Sequence, residues 1–367
     1  MIQENIQKIQ NWLNENNLDV AYLHNPSTIS YLTSFISDPH ERIMALFITK
    51  NGQPFLFVPA LEVETAKASQ WPYQVIGYLD SEEPFAKIAN ELQKYGVLTQ
   101  CAIEKDTLPV LRMEKLKSYF ETLKFDIDIT PFIQNMKLYK STTEKQLLLE
   151  AGQMADMAFE IGFNAIQEGI SEQEIVAIIE TEMKKRGVAK MSFDTLVLAG
   201  AHAADPHGVP SPKITIQPNE LVLFDLGCMW KGYASDATRM ASFKEPSEQA
   251  KKIFDIVLEA QIRAQNAVKP GITAGELDSI ARDYITKKGY GEYFIHRLGH
   301  GIGQSCHEYP SIVEGNDLVI EEGMCFSIEP GIYIPNEVGV RVEDCVYVEK
   351  NGSTALTKTP KTLKIIK

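Results

Sequence analysis

The sequence predicts an α+β protein of two domains, a smaller mixed-sheet α/β domain over residues 1–132 and a larger domain over 133–367. Three observations predict it. Helix and strand patterns alternate through the first 130 or so residues. Three capping-box matches then open long helices, which come in pairs. Each pair precedes an apolar hairpin that carries two carboxylates, so the second domain reads as a pseudo-repeat with helices covering one side of a curved sheet.

In the first domain, Ile2, Ile6, Ile9 and Leu13 recur at helical spacing, and Val20 to Leu23 reads as a buried strand. Ile43 to Thr49 and Phe55 to Val58 form the arms of a hairpin around Asn51-Gly52. A strand at Tyr73 to Gly77, a helix from Pro84 to Tyr95 and a strand near Phe125 to Ile129 continue the alternation. The loop Ser37-Asp-Pro-His-Glu-Arg42 carries both charge signs, a composition that ordinarily marks a solvated turn. The domain boundary falls between Thr130 and Lys140.

Beyond it, Ser141-Thr-Thr-Glu144 opens a helix with Leu147, Ala151, Met154, Ala158 and Ile161 on one stripe. Ser171-Glu-Gln-Glu174 opens a second, which ends at Gly187. The other pair runs from about Ser247 to Val268, and from Thr273-Ala-Gly-Glu276 to just before Gly289.

After the first pair comes Leu221-Val-Leu-Phe-Asp225, a turn candidate at Trp230-Lys231-Gly232, and a returning strand from Tyr233 to Arg239. A turn centred between Trp230 and Lys231 sets Asp225 directly opposite Asp236. After the second pair, Met324 to Glu329 and Val340 to Asp344 form arms around Pro335-Asn-Glu337 and bring Glu329 and Glu343. Like charges across an apolar ladder repel, so four such acids ask for cations between them. A polynuclear site for divalent metal follows, with acids at strand ends in water as the other reading of these residues.

Two loops add histidines. Ala201-His-Ala-Ala-Asp-Pro-His207-Gly precedes the first hairpin, and His296-Arg-Leu-Gly-His300-Gly-Ile-Gly-Gln-Ser-Cys-His307 precedes the second. The glycines of the latter follow no strand and carry no Walker lysine, which argues against a dinucleotide or phosphate loop. His300, set between two glycines where the backbone can approach closely, is a metal-ligand candidate.

A net charge of −13 argues against nucleic acid or an anionic membrane as partner. No run approaches a membrane span, and the N-terminus lacks the apolar core of a signal peptide. Five cysteines without a CxxC pair suit reduced thiols, so a cytoplasmic enzyme is the simplest placement.

The ordered set Asp225, Asp236, His300, Glu329 and Glu343, in the contexts FDLG, SDATR, GHGIG, EPGIY and RVED, resembles the five-ligand signature of the pita-bread metallopeptidases of the M24 type. With its creatinase-like N-terminal domain and SDPHER loop, the chain is most similar to their Xaa-Pro dipeptidase (prolidase) branch. The resemblance implies a pita-bread catalytic domain and two divalent ions per subunit. Asp236 and Glu343 would bridge both ions, Asp225 would chelate one, and His300 and Glu329 would complete the site. A carboxylate-rich set with one imidazole suits Mn2+, while Co2+ or Zn2+ would fit the same groups.

The resemblance further implies hydrolysis by a hydroxide bridging the ions, with Glu329 as general base. His207 and His307 would contact the scissile carbonyl and the developing diolate, and Arg341 with Tyr333 would orient the acidic ligands. Arg297 is the candidate anchor for a free C-terminal carboxylate. Similar prolidases are homodimers in which a partner's N-terminal domain reaches over the site, which makes Asp38, His40 and Arg42 substrate-binding candidates in trans. The small peptide substrate is then an Xaa-Pro dipeptide. An Xaa-Pro aminopeptidase acting on longer peptides shares the site and layout and is the alternative. A methionine aminopeptidase would not need the leading domain, and a non-catalytic or creatinase-like relative would be expected to have lost ligands.

Overall fold

The computed structural model describes residues 2–367, which divide into two units that meet in the chain between Asn135 and Met136. In the first unit, strands β1 (Val20–Leu23), β2 (Ala45–Thr49), β3 (Phe55–Pro59), β4 (Gln74–Tyr78), β5 (Gln100–Ile103) and β6 (Lys124–Asp128) form one sheet in the order β4-β3-β2-β1-β5-β6. β2 runs antiparallel to β1 and β3, while the other pairs are parallel, so the sheet is mixed as expected. Helix α1 (Ile2–Glu15) buries Ile6, Ile9 and Leu13.

Sequence patterning missed four short helices and one strand here. α2 (Pro26–Thr33) starts at an Asn25 cap whose side chain accepts from Ser27, a device that reads as a turn signal in Asn-Pro. α3 (Val63–Ala68) is under two turns, and of α5 (Val110–Lys117) only Leu116 is buried, so neither shows an apolar stripe. The expected helix from Pro84 is α4 (Pro84–Leu92), extended by a 3₁₀ turn to Tyr95. The missed strand is the four-residue β5. The stretch read as a boundary is helical in α6 (Thr130–Leu138).

In the second unit, α7 (Thr142–Ala165), α8 (Glu172–Lys185) and α10 (Ala274–Lys287) each begin with a complete capping box, and α9 (Glu248–Ala267) has a Ser247 cap. The strands are β7 (Leu196–Ala199), β8 (Leu221–Leu226), β9 (Met229–Trp230), β10 (Tyr233–Ala234), β11 (Ala237–Phe243), β12 (Gly299–Gly301), β13 (Glu308–Ile312), β14 (Cys325–Ile328), β15 (Gly331–Ile334), β16 (Val338–Arg341), β17 (Glu343–Glu349), β18 (Gly352–Ala355) and β19 (Lys364–Ile366). The main sheet runs β13-β12-β14-β17-β11-β8-β7, so the two acid-bearing hairpins meet at its centre through β17 and β11.

β8 is buried along its whole length. Val222, Phe224 and Leu226 pack with Phe163 of α7 and Ile175 and Ile179 of α8, with Phe163 edge-on to Phe224 at 5.3 Å. On the other face, Leu221 and Leu223 join Val340 of β16 and Val257 of α9. Elements therefore cover β8 on both sides, not one, which is why it reads as an unbroken apolar run. Burying each such side chain contributes ~1.5–3 kcal/mol, and Asp225 sits within this run.

The first hairpin turns one residue later than expected. Lys231 and Gly232 have φ of 49° and 85°, the two left-handed residues of a tight hairpin turn. Tyr233 pairs with Trp230 and, in the same register, Thr238 with Asp225. Asp236 thus lies diagonally from Asp225, displaced by two residues, and a shift of two keeps both acids on one face. The second hairpin turns about Asn336, as expected, pairing Gly331 with Arg341 and Ile328 with Asp344. Among the described residues no helix is long and apolar enough to cross a membrane.

Candidate metal centre

Asp225 comes from β8, Asp236 from the link between β10 and β11, His300 from β12, Glu329 from the end of β14, and Glu343 from the start of β17. Ligand atoms of Asp225, Asp236 and Glu343 lie within 4.8 Å of one another, as do those of His300, Glu329 and Glu343, and those of Asp236, His300 and His307. They line a cavity of about 610 Å3 together with His207, His296, Arg297, His307 and Arg341. Phe193, Leu196 and Ile295 give it apolar wall.

Each acid is held from behind. Arg341 donates through Nη2 to Asp225 Oδ2, through Nη1 to Tyr333 Oη at 2.6 Å and through Nε to Thr238 Oγ1 at 3.2 Å. Thr238 in turn donates to Glu343 Oε2 at 2.8 Å. Ser327 Oγ donates to Glu329 Oε1 at 2.9 Å and accepts from His300 N at 2.9 Å, so one hydroxyl aligns two candidate ligands. His300 Nδ1 lies 3.1 Å from its own neighbour's carbonyl, Gly301 O, which leaves Nε2 facing Glu329 Oε1 at 3.2 Å and Asp236 Oδ2 at 3.5 Å. The Cys306 thiol donates to Asp236 Oδ2 at 3.1 Å.

Electrostatics shows what this cluster could hold. Burial and the charge of Asp225 push Asp236 up to about 8, and burial with Asp236 carries Glu343 well above the usual carboxylate range. Asp225 is also raised by burial, against the pull of Arg341. Burial raises Glu329 too, but its hydrogen bond and ion pair with His300 hold it down at about 2. Glu343 Oε1 is buried without a hydrogen-bond partner among the described residues. Crowded acids that resist ionising together, one with an idle lone-pair oxygen, plus an imidazole whose Nε2 points among them, fit divalent cations.

Of the other residues singled out from sequence, His307 sits edge-on to His300 with ring centroids 4.1 Å apart, and burial followed by His300's charge lowers it to about 4. His207 lines the cavity from an exposed turn. Arg297 lines it with Nη1 3.3 Å from Ser311 Oγ. Tyr333 stands behind Arg341 and is buried. Asp38, His40 and Arg42 belong to the first unit, where Asp38 accepts from His40 N and Arg42 pairs with Asp80 at 2.9 Å.

Sequence reasoning missed several supporting groups. His296 is half-buried between Arg297 O and Tyr333 Oη, at 2.7 and 3.0 Å, and its removal from water lowers its pKa despite Glu329. Arg239, fully buried, binds Asp344 at 2.6 Å, and Lys361 binds the same acid at 2.9 Å. Thr238 and Ser327 carry no signal alone, since a strand hydroxyl is common. Arg239 sits inside SDATR, and the rarity of buried arginine was the available clue.

Residues 146–350 match the family described as metallopeptidase family M24, and residues 5–138 match the creatinase/prolidase N-terminal domain. The chain is 54% identical to an Xaa-Pro dipeptidase of Lactobacillus helveticus, over 99% of each chain. It is similar in structure to an Xaa-Pro dipeptidase from Bacillus anthracis, at 36% identity with a TM-score of 0.92 over 100% of both chains. It is similar also to an X-Pro aminopeptidase from Thermotoga maritima, at 30% identity with a TM-score of 0.85 over 95% of this chain and 98% of that one.

Proposed function

We propose, from the premise that the chain belongs to metallopeptidase family M24 and carries a creatinase/prolidase N-terminal domain, that it is a metal-dependent Xaa-Pro dipeptidase. The observation that carries this reading is the convergence of four carboxylates and one imidazole, His300, in a single cavity. The likeness to Xaa-Pro dipeptidases over the full chain supports the substrate class.

Two divalent ions would be held by Asp225, Asp236, His300, Glu329 and Glu343, and the oxygen-rich donor set favours Mn2+ over Co2+ or Zn2+. When bound, such ions offset the acids' charge and lower the pKa of a water molecule. Glu329, whose side chain keeps 16% exposure against 6% for Asp236, would take a proton from a water in the cavity. When the Xaa-Pro bond breaks, the prolyl nitrogen leaves as an amine and must receive a proton, as the nitrogen of any hydrolysed amide does. Glu329 can return it, with His207 and His307 hydrogen-bonded to the carbonyl oxygen as charge develops there. Arg341 and Tyr333 keep Asp225 aligned.

Arg297 anchors the dipeptide's C-terminal carboxylate, and Asp38, His40 and Arg42 approach from a partner subunit of a homodimer. A reducing, cytoplasmic setting suits the five free cysteines. The test is hydrolysis of Leu-Pro against Leu-Pro-Ala by metal-stripped protein, with and without added Mn2+. Mn2+-dependent cleavage of the dipeptide alone is expected. Cleavage of the tripeptide would move the activity to the aminopeptidase class that the T. maritima likeness keeps in view. Unchanged dipeptide and tripeptide rates after truncating residues 37–42 would remove that loop from the substrate site.

A further inference from the structure

The segment that presents His207 is fastened at both ends by one buried carboxylate. Glu172, the first residue of α8, has 0% exposure. Its Oε1 accepts from Ala199 N at 2.7 Å, just before the segment, and its Oε2 from Ser211 N at 2.9 Å, just after it. Between these, His202 Nδ1 lies 2.9 Å from both oxygens. An anion removed from water survives when donors replace the water, and here the donors are the two flanks of the segment and His202 within it.

His202 carries the constraint onward. Its Nε2 lies 3.2 Å from where a Cβ on Gly208 would stand, so the ring supports the turn next to His207. That turn is closed by Gly208 N to Asp205 O at 3.0 Å and by His207 N to Asp205 Oδ1 at 3.2 Å. The segment is also seated on β16, because a Cβ on Gly339 would stand 1.7 Å from Ala203 O. β16 ends in Arg341, so the turn shares its footing with the Asp225 support.

The second half of the domain uses the same device. Asp278 of α10, also at 0% exposure, accepts from Leu298 N at 3.0 Å and pairs with Arg282, which donates to the carbonyls of Phe294 and His296 at 2.9 and 2.8 Å. That clamp closes the loop presenting His296 and Arg297.

We propose that Glu172 and His202 are positioning residues for His207: the buried carboxylate holds the imidazole of His202 under the Asp205–Gly208 turn, and so fixes where His207 meets the substrate. The inference rests on the Xaa-Pro dipeptidase reading for His207's role, though not for the fastening itself.

A double-mutant cycle on metal-loaded, full-length protein tests it, with Leu-Pro as substrate. His202→Ala is expected to lower kcat/KM by about 10- to 100-fold, chiefly in kcat, as misplacement of a group near the chemistry does. His202→Asn, whose side-chain amide can still donate to Glu172, is expected to stay within about threefold of the parent. In a His207→Ala background, His202→Ala should cost less than about twofold further, because its effect passes through His207. Hydrogen exchange of the 200–211 segment should rise in His202→Ala and in Glu172→Gln, with bound metal retained.

An undiminished His202→Ala enzyme, or an equal loss in the His207→Ala background, would overturn the proposal. A wild-type enzyme inert on Leu-Pro would instead overturn the functional reading. Exchange then decides the fastening alone, and protection of 200–211 unchanged by His202→Ala would sink it.

Discussion

Thr238 Oγ1 donates to Glu343 Oε2 at 2.8 Å while accepting from Arg341 Nε at 3.2 Å. One hydroxyl therefore couples an acid at the centre of the sheet to the guanidinium that grips Asp225. Thr238→Val keeps the shape and deletes the hydroxyl. Groups that orient metal ligands typically govern 10–100-fold in affinity, so the Mn2+ Kd of Thr238→Val should rise by about that factor, while Thr238→Ser stays near the parent. Isothermal titration of stripped protein with Mn2+ checks this.

The crowding of acids makes the metal-free protein strained by charge. Stripping should lower the melting temperature, and Mn2+ at a hundredfold excess over its Kd should restore about 2.7 kcal/mol. Glu343→Gln should raise the stability of the metal-free form by ~1 kcal/mol or more, because a buried, repelled carboxylate is replaced by a neutral isostere. The same variant should fail to gain stability from Mn2+. Melting curves with and without chelator measure both effects.

Gly299 precedes His300 on β12, and a Cβ there would stand 1.9 Å from Ser327 O and 2.9 Å from its Oγ. Gly299→Ala should therefore push β12 from β14 and break the Ser327 contact that aligns His300 and Glu329. We expect metal affinity to fall at least about tenfold, with a loss of a few kcal/mol in stability from overpacking. Metal content after dialysis, read beside a melting curve, checks it.

In the first unit, burial and the neighbouring Arg112 lower His24 to about 4. The unfolded chain binds this proton near pH 6.5, the folded one near 4. Stability from this residue is complete above pH 6.5 and is lost as pH falls between those two values. By pH 5 the loss should reach ~1–2 kcal/mol. His24→Gln should flatten that part of the profile, as urea denaturation at pH 7 and pH 5 would reveal.

Much of this architecture was legible in the sequence because its signals are local. Ser141-Glu144, Ser171-Glu174 and Thr273-Glu276 start helices by a device that fits in four residues. The acids of the cluster stood out against apolar strands, where an ionised group needs a partner. The register of the first hairpin was off by two because either Trp230-Lys231 or Lys231-Gly232 could centre the turn, and only the left-handed φ of both Lys231 and Gly232 decides. Glu172, Asp278, Thr238 and Ser327 were invisible for another reason. Each owes its position to a partner 20 to 105 residues away, as Glu172 does to Ser211 or Thr238 to Glu343, and nothing in the nearby sequence announces such a pairing.

Metal dependence and dipeptidase activity are tested together by a stoichiometric Mn2+ titration of stripped protein, with bound metal and Leu-Pro hydrolysis followed in the same samples. Hydrolysis should be absent without metal and reach its plateau at two equivalents per chain. Full activity in the stripped protein, or two bound ions with no cleavage of Leu-Pro, would contradict it.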